Sequence, residues 1–270
     1  MVRAVKCMGR CTMKKIFSMA AILMGVASAA SAADFPVVPV KAPLPMPVIF
    51  SWTGCYIGAE GGGNWGGSSQ IARSGVNANQ PITGNFDLSG GIAGATVGCN
   101  VQVSNFVLGV ENDYSWTDKR GSAPDQPPFT TGAISSTREK WIDTLRGRFG
   151  YAIDRFMVYG TAGVAFAGTE VAVSNPAFGT FVNSKDRTGW VLGVGGEYAI
   201  WADAFADVTL KLEYLHAGFE SKQYFSPPVA AGASTIVTRD TKLSDDMVRA
   251  GVNVKFNWGT PPSGSVVARY

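Results

Sequence analysis

The chain has 270 residues, with 23 Lys and Arg against 20 Asp and Glu, four Cys, a single His and 33 Gly. The glycine content argues against long helices. No basic run points to nucleic acid, no CxxC or His pair points to zinc, and no run of eighteen apolar residues after the leader points to a membrane helix.

The N-terminus reads as an export signal. Met13-Lys14-Lys15 precedes an uncharged apolar run from Ile16 to Val26, and a small-residue stretch, Ala27 to Ala33, holds Ala30-Ser31-Ala32. A charged segment, a short apolar segment and an A-x-A site in that order predict a signal peptide over 1–32, cleaved after Ala32. Residues 1–12 precede the better start at Met13. Cleavage removes five bases and no acid, leaving 18 bases against 20 acids, so the mature chain is at −2. It also removes Cys7 and Cys11. Cys55 and Cys99 remain, in an oxidising setting. Residues 33–50 carry five prolines, which forbid helix and favour an extended periplasmic linker.

From there the pattern has period two. Eight segments read as strands: 53–64, 89–103, 106–117, 139–153, 156–172, 188–200, 206–221 and 243–258. Ser104-Asn105 and Asp154-Arg155 are two-residue turns, and a third short turn lies between Trp201 and Phe205. The other four connections, 65–88, 118–138, 173–187 and 222–242, are long and polar. Short turns at one end and long loops at the other predict an all-β, eight-stranded antiparallel up-and-down transmembrane β-barrel over 51–258, with both termini in the periplasm. Residues 259–270 form a tail.

Register across the two tight turns sorts the faces. Val97, Val101 and Val103 share a face with Phe106, Leu108, Val110, Tyr114 and Trp116. Leu145, Phe149 and Tyr151 share one with Val158, Val164 and Phe166, and Val248, Val252, Val254 and Phe256 form another such row. Aromatics on this face collect at the strand ends. Trp65, Trp141 and Trp190 join Tyr114, Trp116 and Phe166 at the long-loop end. Tyr198 and Trp258 join Phe106, Tyr151, Phe156 and Phe256 at the short-turn end. Two aromatic girdles around an aliphatic band match two bilayer interfaces, so this face meets lipid. The opposite face holds Glu60, Glu111, Asp113, Arg146, Arg148, Glu197, Lys211, Glu213, Arg249 and Lys255, five acids and five bases. Such charges in a small lumen pair with one another. The glycines on that face, Gly58, Gly62, Gly94, Gly98, Gly109, Gly163, Gly193 and Gly195, leave room that favours water.

Several motifs resemble the small outer-membrane β-barrel family of alphaproteobacteria. They are Trp52-Thr53-Gly54 with Tyr56-Ile57-Gly58, Gly90-Gly91 to Gly98 and Asn100, Gly109-Val110-Glu111, and Gly189-Trp190 with Gly195-Gly196-Glu197-Tyr198. That family includes major surface antigens and porin-like proteins of Gram-negative cells, akin in architecture to OmpA-type and opacity-type barrels. The resemblance covers Trp52 to Trp258 and implies no catalytic residue. There are two departures. Cys55 and Cys99 stand where the family shows aromatics, and GTPPSGSVVARY follows the last strand, where the family stops at an aromatic. Cys55 and Cys99 lie on adjacent strands, near the periplasmic ends and facing outward, and are expected to pair.

The first functional reading is a structural surface protein with at most a narrow, charge-lined pore for small solutes or ions, since eight strands enclose only what side chains can fill. The alternative is an adhesin or ligand-binding protein, for haem for example, acting through its long loops. His216 follows lipid-face parity. Its same-strand neighbours Tyr214 and Gly218 supply no nucleophile, so lipid modification is not expected even with Glu220 near it. Neither a cofactor nor a metal is called for. The expected partners are outer-membrane lipid, lipopolysaccharide and the barrel-assembly machinery.

Overall fold

The computed structural model describes residues 50–257, apart from 130–131, 204 and 232–233. All of them belong to one of the two units into which the chain divides, Met46–Tyr270. The signal peptide, the linker up to residue 49, Trp258 and the tail lie outside the described residues.

Eight long strands form the wall: β1 (Gly54–Ala72), β2 (Phe86–Val103), β3 (Phe106–Thr117), β5 (Ile134–Ile153), β6 (Phe156–Asn175), β7 (Gly179–Ala202), β8 (Ala206–Tyr224) and β11 (Arg239–Phe256). Each pairs antiparallel with its neighbours. β1 pairs with both β2 and β11, so the ring closes, while toward the long-loop end the ladder between β7 and β8 stops at Gly189 opposite Phe219. Short β4 (Arg120–Pro124) continues the lane of β3, between β2 and β5. β9 (Val229–Ala231) and β10 (Ser234–Ile236) form a hairpin within the last long connection.

Val103 faces Phe106 and Ile153 faces Phe156, the register read from the two tight turns. Ser104 and Asp154 take a positive φ, as the first central residue of a primed hairpin turn requires. Outward residues of the belt are apolar and exposed, among them Leu108, Val110, Leu145, Val194 and Leu212. Both girdles lie on this outer wall: Trp65, Tyr114, Trp116, Phe166 and Trp190 are exposed toward the loop end, and Phe106, Tyr151, Phe156, Tyr198 and Phe256 toward the turn end.

The strands run further outward than their alternation shows. β1 continues to Ala72 rather than 64, β7 begins at Gly179 rather than 188, and β5 begins at Ile134 rather than 139. Much of what reads as long loop is a stranded collar above the outer girdle. The reason is solvent. Outward positions above the girdle, such as Ser184, Asp186 and Thr188 on β7, meet water instead of lipid, so both faces are polar and the contrast that marks a strand disappears.

Candidate functional site: a packed lumen beneath a stranded collar

The lumen is filled in layers. At the periplasmic mouth, Phe50 and Trp52 enter the barrel and pack with Val107, Ala152, Met157, Tyr159 and Ala199. Trp52 is 1% exposed. Its backbone N–H donates to Gln102 Oε1 at 2.8 Å, and its indole N–H donates to the Asp154 carbonyl at 3.2 Å. Lys255 Nζ donates to the Ser51 carbonyl, lies 4.7 Å from the Phe50 ring centroid and pairs with Asp207 at 2.9 Å. Phe50, the first described residue, thus packs inside the mouth of the barrel.

Above this stopper lies the charge network. Arg146 reaches Glu111 at 2.6 Å, Asp113 at 2.7 Å and Glu213 at 2.7 Å. Arg249 pairs with Glu60 and Asp113, and with Glu213 at 2.7 Å. Lys211 bridges Glu60 at 3.0 Å and Glu111 at 3.3 Å. Arg148 pairs with Glu197 and stacks 3.6 Å over the Tyr159 ring. Tyr56 donates its hydroxyl to Glu111 at 2.5 Å. The ten charged residues read from parity all lie inside the lumen, nine-tenths or more buried.

The glycines of this face do not hold open a water path. A Cβ on Gly98 would sit 2.4 Å from the Tyr56 hydroxyl oxygen, and one on Gly195 would sit 2.5 Å from the Tyr159 ring. Two tyrosines on neighbouring strands occupy the space those glycines free. Strand parity shows which face a glycine takes but not which side chain lies across it.

Six further charged residues are buried that the ten did not include: Lys119, Glu139, Arg187, Asp207, Arg239 and Asp245. With them the described interior holds eight acids and eight bases. Asp207 and Asp245 lie inside the strands read as 206–221 and 243–258 and share parity with Lys211 and Arg249, so counting in twos along the same rows reaches them. Glu139 is different. A bulge between Glu139 and Trp141 inverts the parity of β5, and this puts Glu139 inside, 3.4 Å from Lys119, which also pairs with Asp245. No sequence signal marks that bulge. Between this trio and the lower network runs an apolar layer that includes Ile92, Ile142, Val191, Leu215 and Met247. At the extracellular end, Val171, Val173, Tyr224, Phe225, Ala231 and Ile236 form another. Beside it, burial pushes the Asp125 carboxyl up, against a hydrogen bond from Ser135 and the field of Arg239.

On the outer wall, Cys55 and Cys99 are directly paired across β1 and β2 and joined as a disulfide. His216 points outward beside Trp190, with ring centroids 5.4 Å apart. Its carboxylate neighbour is Asp246 on β11, 2.8 Å from Nδ1, rather than Glu220. Tyr214 donates to the same carboxylate at 2.5 Å. The group is an acid held by a phenol and an imidazole, without a nucleophile. Among the described residues, no three potential ligands gather to hold a metal.

A closed eight-stranded ring with a lipid-facing belt, a charge-paired interior and a polar collar defines a small outer-membrane barrel protein. The chain belongs to the outer membrane protein beta-barrel domain family, whose model matches residues 18–256. It is 34% identical to the 31 kDa outer-membrane immunogenic protein of Brucella melitensis biotype 1 over 252 residues, covering 88% of this chain and 98% of the relative. It is 29% identical to the 25 kDa outer-membrane immunogenic protein of Brucella abortus biovar 1, covering 91% and 99%. The 22 kDa outer membrane protein of Rhizobium leguminosarum bv. viciae is 28% identical, covering 76% and 79%. Among solved structures, the outer membrane protein OprG from Pseudomonas aeruginosa aligns at 15% identity with a TM-score of 0.40, over 76% of this chain and 98% of that one. Neisserial surface protein A aligns at 12% identity with a TM-score of 0.36, over 76% and 98%. The family is one of outer-membrane proteins.

Proposed function

We propose that the protein is a sealed outer-membrane scaffold that displays its collar for contacts at the cell surface, rather than a channel. One observation carries this reading: every level of the described lumen is occupied, with apolar layers at both ends and in the middle separated by paired charges. A solute would have to part the Arg146 and Arg249 networks, and a buried charge stripped of its partner costs about 3–5 kcal/mol. The collar and its loops are what remains to meet other molecules. Two relatives whose names call them immunogenic outer-membrane proteins are consistent with a surface role. Insertion by the barrel-assembly machinery and contact with lipopolysaccharide follow from the same placement.

Single-channel recording of the folded mature protein in a planar bilayer tests the proposal. Protein shown to be inserted is expected to give no unitary steps. Steps whose size changes with Lys211→Glu or Arg249→Glu would overturn it in favour of a charge-lined pore.

A further inference from the structure

The outer wall just above the loop-side girdle carries a basic cluster that neither the lumen nor the belt uses. Arg120 on β4 and Arg138 on β5 are directly opposed in an antiparallel ladder, and both are exposed on the outward side. Opposed residues place their Cβ atoms about 4.5–5.5 Å apart, where like charges repel. The bulge in β5 adds Lys140 to the same wall. Three carboxylates lie nearby. Glu170, opposite Arg138, accepts a hydrogen bond from Lys140 at 2.6 Å, which holds its carboxyl below the ordinary range. Asp118 accepts from the Gly91 backbone N–H at 2.7 Å. Asp87 lies two residues from Ser89, the partner of Arg120 on β2. Neither guanidinium forms a salt bridge among the described residues.

The position of the cluster points to an occupant. Trp116 and Trp141 are directly opposed in the girdle immediately below. Arg138 is three residues further out, about 10 Å along the strand. With the girdle at the hydrocarbon boundary, the cluster sits at the depth of the outer-leaflet headgroups. We propose that Arg120, Arg138 and Lys140 form a binding site for the phosphate groups of an outer-leaflet glycolipid, the phosphorylated disaccharide that heads lipid A. A guanidinium binds phosphate through two parallel N–H donors, and an anion between two opposed arginines turns their repulsion into shared attraction. The acyl chains of the same lipid then lie along the apolar belt below.

The test uses the full mature protein, folded in neutral detergent and titrated with diphosphoryl lipid A, with dephosphorylated lipid A, and with inorganic phosphate alone. Wild type is expected to bind the diphosphoryl form about tenfold more tightly than the dephosphorylated form. Arg120→Gln with Arg138→Gln is expected to abolish that preference. Lys242→Gln, which removes an exposed charge from another strand of the collar, is expected to keep it. The paired arginine variant is also expected to unfold at an equal or higher urea concentration than wild type in lipid-free detergent, since it relieves a repulsion. A variant that keeps the preference, or a wild type indifferent to the lipid phosphates, would overturn the site. Saturation of the wild type by inorganic phosphate as readily as by the lipid would overturn the assignment to a lipid headgroup.

Discussion

The belt and the collar are built from the same strands, yet they obey opposite rules. On β7, Val194 and Val182 both point outward and are similarly exposed, at 62% and 52%. Val194 lies between the girdle residues Trp190 and Tyr198, facing hydrocarbon, while Val182 lies eight residues beyond Trp190, facing water. Below the girdle the outer face must be apolar and the inner face takes the charge. Above it the outer face is polar too, carrying exposed ion pairs such as Arg73 with Asp240 and Lys140 with Glu170. Exposure alone therefore does not describe a side chain in this protein; the solvent it is exposed to does.

Belt and collar differ most in what their ion pairs contribute. Arg249→Ala leaves the carboxylates of Glu60, Asp113 and Glu213 without their central cation and is expected to cost about 3–5 kcal/mol in reversible urea unfolding. Arg73→Ala, which removes a half-exposed collar pair, is expected to cost about 0.2–1 kcal/mol in the same assay. Equal losses would mean that the lumen is as wet as the collar.

Cutting the Cys55–Cys99 link by a double Ser substitution comes next. It releases a closed loop spanning 44 residues and is expected to lower stability by about 2–4 kcal/mol. Non-reducing mass mapping of the membrane-extracted protein that found both thiols free would remove the basis for that figure.

The two valines give the sharpest contrast. Val194→Arg is expected to destabilise the inserted protein by about 2–4 kcal/mol, near the bilayer midplane value for a cation on a barrel's lipid face. Val182→Arg is expected to stay within about 0.5 kcal/mol of wild type. If Val182→Arg cost as much as Val194→Arg, the hydrocarbon boundary would lie well above the Trp190 girdle and the collar would be part of the belt.

The limits of sequence reading follow the same boundary. Ser104-Asn105 and Asp154-Arg155 are short enough to set register by themselves, and from them the inward placement of Arg146, Arg148 and Glu111 follows by counting in twos. Where both faces turn polar, counting loses its reference, which is why β5, β6 and β7 run further outward than their alternation indicates. Glu139 lies past a bulge, and a single extra residue exchanges the two faces. Trp52 and Phe50 carry no alternation at all; the barrel mouth that buries them is assembled from β3, β5, β6 and β7, far away in sequence.

The ring of eight strands, its two aromatic girdles and the sign of each face are already written in the order of residues, because a strand between lipid and lumen must alternate with period two. What stands opposite what across the ring comes from the fold in three dimensions. It set Tyr56 against Gly98 and Tyr159 against Gly195, brought Asp246 to His216, and opposed Arg120 to Arg138 on the outer wall. Those pairings depend on shear, bulges and ring closure, which join residues by position around a barrel rather than by distance along a chain.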